Sequence, residues 1–215
     1  MFTVFSNTMR LPFREHFNPI IKILILSDFI VWTGISLVTP ILSVFFVEQV
    51  EGMSIVDIGI GVFITLFIAG ILEIYVGHFL DKTRGDKDEI YFLIIGNVII
   101  SVYYAILAFL PSRITFYIYC ILNAFSQAMV YPAWRKLFTK FVDKGKEGLQ
   151  WSIYDTIMNM GIGIASAIGG IIVETLVGFT TLFLIISIIT LVGSLVPCYL
   201  FFNLKRKYLH PETEN

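Results

Sequence analysis

Apolar side chains fill six long stretches of this chain, and polar residues gather in the short gaps between them. The stretches cover about residues 19–47, 55–80, 90–110, 114–138, 149–176 and 180–203. Each is at least twenty residues long. Twenty residues of α-helix rise about 30 Å, the thickness of a bilayer's hydrocarbon core. The pattern predicts six transmembrane helices and an all-α membrane protein. Local signals mark several ends. Pro19 suits the first turn of a helix. Ser54 followed three residues later by Asp57 reads as a capping box. Pro40 is predicted to kink the first helix in its outer half. Pro111-Ser112-Arg113 and Gly178-Phe179 read as tight turns.

Composition agrees. The chain is 57% hydrophobic and 14% charged, against roughly 25% charged in soluble domains. It has too little polar surface to cover itself in water, so lipid is its expected solvent. Three parts are expected: an N-terminal segment over residues 1–18, a transmembrane domain over 19–203 and a tail over 204–215, with no room for a further soluble domain. The first part carries Phe2, Phe5, Phe13 and Phe17 and reads either as an interfacial lead-in or as a frayed terminus. With Arg10, Pro12, Arg14, Glu15 and His16 and no apolar core, it does not read as a cleavable signal peptide. Cys120 and Cys198 fall inside apolar runs and read as buried small hydrophobes. Fourteen of the fifteen Lys and Arg fall on one side of a six-span layout, with Arg113 alone on the other. Cytoplasmic loops are enriched in these residues. Both termini are therefore expected in the cytoplasm, in a multi-pass protein of the inner or plasma membrane.

Polar positions inside an apolar chain carry the functional information. The most charged segment runs from Gly77 to Glu89, between spans 2 and 3, and includes Asp81, Lys82, Arg84, Gly85 and Lys87. One reading is a solvated hairpin that only sets topology. Asp28 lies about nine residues into span 1, one turn before Trp32, where a carboxylate costs roughly 2.5–3.5 kcal/mol on insertion scales. It reads either as a structural hydrogen-bond acceptor or as a contact for a substrate, a cation or a transferred proton. Glu73 reads either as a partner of a loop lysine or as a buried relay carboxylate. In span 4, Asn123, Gln127, Tyr131 and Arg135 recur every four residues and form a polar stripe. Trp151, Asp155, Asn159 and Gly163 repeat likewise in span 5. Asp155 reads either as an acid favoured near a helix N-terminus or as an ion-pair partner of Arg135. Span 3 is almost wholly apolar and aromatic, and is expected to face lipid.

Conventional catalysis has no visible basis, and the chain is not expected to be an enzyme. His16, His78 and His210 lie outside or at the edge of the spans, and no Cys/His set has metal-ligand spacing. Neither a Gly-x-Ser-x-Gly elbow nor a Gly-x-x-x-x-Gly-Lys phosphate loop is present. No cofactor and no metal are expected, and a net charge of −1 does not suggest a nucleic-acid partner.

The segment Gly77-x-x-x-Asp81-Lys82-x-Arg84-Gly85-x-Lys87 resembles the loop signature of the major facilitator superfamily of transporters. Thr39-Pro40-Ile41 in span 1, Tyr131-Pro132-Ala133-Trp134 in span 4 and the glycines from Gly161 to Gly170 in span 5 resemble that family's helices, over about residues 19–203. Asp86 stands where a basic residue is usual in the loop. Cys120 and Ile121 stand where many proton-coupled members carry an arginine, and Ala165-Ser166 stand where antiporters often carry Gly-Pro. The resemblance implies the N-terminal six-helix half of a transporter bundle, with spans 1 and 4 lining a cavity. That assigns Asp28, Trp32, Asn123, Gln127, Tyr131, Asp155 and Asn159 to a substrate or ion cavity and Glu73 and Arg135 to a charge relay. Gly77, Asp81, Lys82, Arg84, Gly85 and Lys87 become a cytoplasmic gate. The stripe on span 4 would then hydrogen-bond a solute, the other reading being glue between helices. The implied function is secondary active transport of a small solute by alternating access, as a homodimer or with a second six-helix half. The alternative is a non-transporting membrane module: a scaffold, a sensor or a remnant of a twelve-helix protein.

Overall fold

The computed structural model describes residues 18–83, 85–175 and 178–200. The phenylalanine-rich N-terminal segment, Arg84, Lys205-Arg206-Lys207 and the tail lie outside them. The described residues form seven helices: α1 (Pro19–Ser36), α2 (Leu42–Gln49), α3 (Ile55–Lys82), α4 (Lys87–Phe109), α5 (Arg113–Phe141), α6 (Glu147–Thr175) and α7 (Gly178–Leu195). Six are long and apolar enough to cross a membrane; the short α2 is the exception.

Helix ends follow local chemistry. Asn18 caps α1, its side chain accepting from the Ile20 amide at 3.0 Å, with Pro19 in the first turn. Ser54 and Asp57 form the expected capping box at the start of α3, with Ser54 N donating to Asp57 at 3.0 Å and Asp57 N donating to Ser54 Oγ at 3.3 Å. Ser112 caps α5.

Pro40 does more than kink the first span: it breaks it. The helix stops at Ser36, residues 37–41 form turns, and α2 restarts at Leu42. Proline has no N–H, and its ring collides with the carbonyl four residues back. That carbonyl belongs to Ser36, and the Ser166 hydroxyl of α6 donates to it at 3.2 Å. One turn on, Gly169 lies directly on the broken backbone. A Cβ built there would stand 1.6 Å from the Leu37 carbonyl oxygen. Ser166 and Gly169 together let α6 dock on a backbone whose helical hydrogen bonding is interrupted at Pro40.

The helices pack in a row with order α3, α5, α4, α7, α1, α6, with further contacts of α1 to α5 and α6 to α7. Exchanging the first three spanning helices for the last three leaves the main contacts unchanged. Such an exchange is the mark of an internal structural repeat. In the apolar stretches of α3 and α6, the ends of the row, 22% of the residues are buried, against 50% in α4.

That figure corrects the expectation for span 3: α4 is the most buried spanning helix, held between α5 and α7. An apolar helix in lipid gives no hydrophobic direction, so its partners must be read from small and polar residues. Gly96 admits α5 so closely that a Cβ would meet Val130 at 2.5 Å. Ser101 donates to the Ser187 carbonyl at 2.7 Å, and Ser187 donates back to the Ser101 carbonyl at 2.9 Å. The buried Tyr103 stacks on Tyr119 at 4.3 Å.

Candidate functional site

The connections α3–α4 and α5–α6 lie at one end of the bundle, here termed the basic end. About 12–15 Å in from that end along the helix axes, a cavity of about 310 Å³ opens between α1, α5 and α6. Such a volume falls in the low part of the range for small-molecule sites. Asp28 and Trp32 of α1, Tyr131 and Arg135 of α5, and Asp155 of α6 all line it. Trp134, Trp151 and Tyr154 complete the wall. The chain's three tryptophans therefore all border one cavity.

Asp28 is buried, and Tyr154 Oη donates to its Oδ2 at 2.5 Å. This bond joins residues 126 positions apart and satisfies a carboxylate oxygen that would otherwise be stranded in a low-dielectric interior. Trp32 stacks on Tyr131 with ring centroids 6.3 Å apart and planes 13° apart. Trp134 meets Tyr154 at 4.6 Å and Trp151 at 5.6 Å. The Arg135 guanidinium sits 5.4 Å over the Tyr131 ring, and its Nη1 is 3.5 Å from Glu73 of α3. Arg135 thus pairs with Glu73, not with Asp155, and Glu73 is neither fully buried nor the partner of a loop lysine. Asp155 is exposed at the cavity's open side, as is Arg135.

The span 4 stripe does not act as one surface. Asn123 and Gln127 line a second cavity of about 250 Å³ between α2, α3 and α5, toward the opposite end of the bundle. Gln127 Nε2 donates to Asn123 Oδ1 at 3.3 Å. A four-residue step on an α-helix overshoots a full turn by about 40°. The stripe therefore winds from the α3 side at Asn123 to the α1 and α6 side at Tyr131. Asn159 is exposed and borders neither cavity.

The charged hairpin at the basic end is tied to α5 by two lysines a helical turn apart. Lys136 Nζ lies 2.7 Å from the fully buried Glu89 and 4.0 Å from Asp81, and it also donates to the Leu80 carbonyl. Lys140 pairs with the buried Asp86. Asp81 is 78% exposed, and Lys82 and Lys87 are exposed. Gly85 turns the hairpin with φ at +106°, a conformation that favours glycine. Gly77 faces Pro132 of α5 at the limit of contact. At the opposite end, Asp57 receives Arg113 Nη2 at 2.7 Å and Tyr117 Oη at 2.6 Å, so the α3 cap also clasps α5.

Among residues that the sequence did not single out as a site, Tyr154, Trp134 and Glu89 matter most. Glu89 carried a signal: a carboxylate in the first turn of α4, with lysines at 136 and 140 able to reach the same hairpin. Tyr154 carried none, because nothing along the chain links it to Asp28. Among the described residues, no cluster of His, Cys, Asp and Glu could hold a metal ion.

A family model described as Major Facilitator Superfamily matches residues 24–214. No curated protein matches the chain.

Proposed function

The chain belongs to the Major Facilitator Superfamily, and from that premise we propose that it forms one half of a secondary active transporter that moves a small solute by alternating access. The observation that carries this reading is convergence. Asp28, Trp32, Tyr131, Arg135 and Asp155 come from three helices and border one cavity about 12–15 Å in from the basic end. Intramembrane charged groups are costly and characteristically line solute pathways. In transporters built from repeats, the site lies near the midplane at the repeat interface. A non-transporting remnant would carry no pressure to keep such groups on a common open space.

The partner half is a second copy of this chain or a separate six-helix protein. Helices α3 and α6 are the ones left most uncovered, and a partner seated along them would close the cavity's open side. Rocking of the two halves would then expose the cavity to each face in turn. The charged hairpin is the gate at the basic end. Its clasp to α5 makes it move as one body with α5, while exposed Asp81 remains available to the partner half. The distribution of Lys and Arg supports a cytoplasmic position for that end, in a protein of the inner or plasma membrane.

Native mass spectrometry of the protein extracted with its lipids tests the pairing. A mass of two copies, or of one copy with another six-helix chain, is expected. A strict monomer at every protein concentration would contradict it.

A further inference from the structure

We propose that the cavity between α1, α5 and α6 takes a small organic cation of the substituted-ammonium class. This inference rests on reading that cavity as the solute site. Its walls are aromatic on several sides: Trp32 stacked with Tyr131, and Trp134 with Trp151 and Tyr154. Aromatic rings carry negative charge density on their faces, and sites lined by them recognise quaternary and methylated ammonium groups. Two carboxylates, Asp28 and Asp155, share the space.

Arg135, the one cation on the wall among the described residues, does not reverse this balance. Its guanidinium already lies over Tyr131 and faces Glu73 at 3.5 Å. With that pair set against itself, the two aspartates give the cavity its sign. An anionic solute would have to enter against both.

All three tryptophans border the cavity, so intrinsic fluorescence of the protein in nanodiscs reports its occupancy directly. Three probes share one shape and differ in charge: choline, the neutral 3,3-dimethylbutan-1-ol and the anionic 3,3-dimethylbutanoate. A saturable change with choline is expected, at least about tenfold tighter than with either isostere. Asp155→Asn, at an exposed position, weakens choline by about tenfold and leaves the alcohol unchanged. Asp28→Asn keeps an oxygen for Tyr154 and acts in the same direction. Equal response to all three probes, no response to choline, or a preference for the carboxylate that Arg135→Gln abolishes would overturn the inference. The last of these would still leave a transporter, now of anions. Choline binding in a protein whose cavity never changes the face it opens to would uphold the cation site and remove the transport reading instead.

Discussion

Gly169 shows how much a single position can decide in this bundle. Its missing side chain is what lets α6 rest on the backbone that Pro40 disrupts, with the would-be Cβ 1.6 Å from a carbonyl oxygen. Neighbouring Gly170 has nothing within 4 Å. Gly169→Ala should therefore destabilise the protein by at least about 1–3 kcal/mol, the usual cost of overpacking, whereas Gly170→Ala should be near neutral. Thermal melts in detergent compare the two, and equal losses would show that α6 does not dock on the break. At this scale the sequence was only partly readable. Asp28 announced itself as a costly buried charge, but its partner Tyr154 lies 126 residues away and bears no mark of the pairing. Arg135 was recognisable as a paired cation, yet its partner proved to be Glu73 of α3, because helix adjacency and not spacing decides which carboxylate it meets.

Among the elements, the α3–α4 hairpin behaves as part of α5. Lys136 bridges Glu89, Asp81 and the end of α3, and Lys140 holds Asp86. Glu89 is fully buried, so removing its cation strands a charge. Lys136→Met should cost about 3–5 kcal/mol, the range for breaking a buried pair from one side. Adding Glu89→Gln to Lys136→Met should recover much of that loss. A double-mutant cycle read by chemical or thermal unfolding measures it, and additive losses would mean that the pair is not coupled. Most spanning helices and several of their ends were legible, since hydropathy, Pro19 and the Ser54–Asp57 box all act locally, but Pro40 read as a kink where the structure has a break and a separate α2. Helix facing was legible only where polar residues marked it. Span 3 looked lipid-facing because it is uniformly apolar, and in a bilayer apolarity says nothing about neighbours. Its real partners were encoded in Gly96 and Ser101, whose meaning appears only once α5 and α7 are beside it.

At the scale of the whole bundle, the two cavities described above lie toward its opposite ends, with the polar stripe of α5 winding from one to the other. The cavity nearer the basic end gathers the carboxylates and the tryptophans, and the other holds the Asn123–Gln127 pair. Such an arrangement suits a protein that opens first toward one face of the membrane and then toward the other. Access to Trp32→Cys, in a protein whose Cys120 and Cys198 have been replaced, tests this most directly. The reagent is a membrane-impermeant maleimide, applied to right-side-out and to inverted vesicles that remain sealed to it. Labelling from both faces is the result expected of alternating access. Labelling from one face alone, under every condition of added solute, would contradict it.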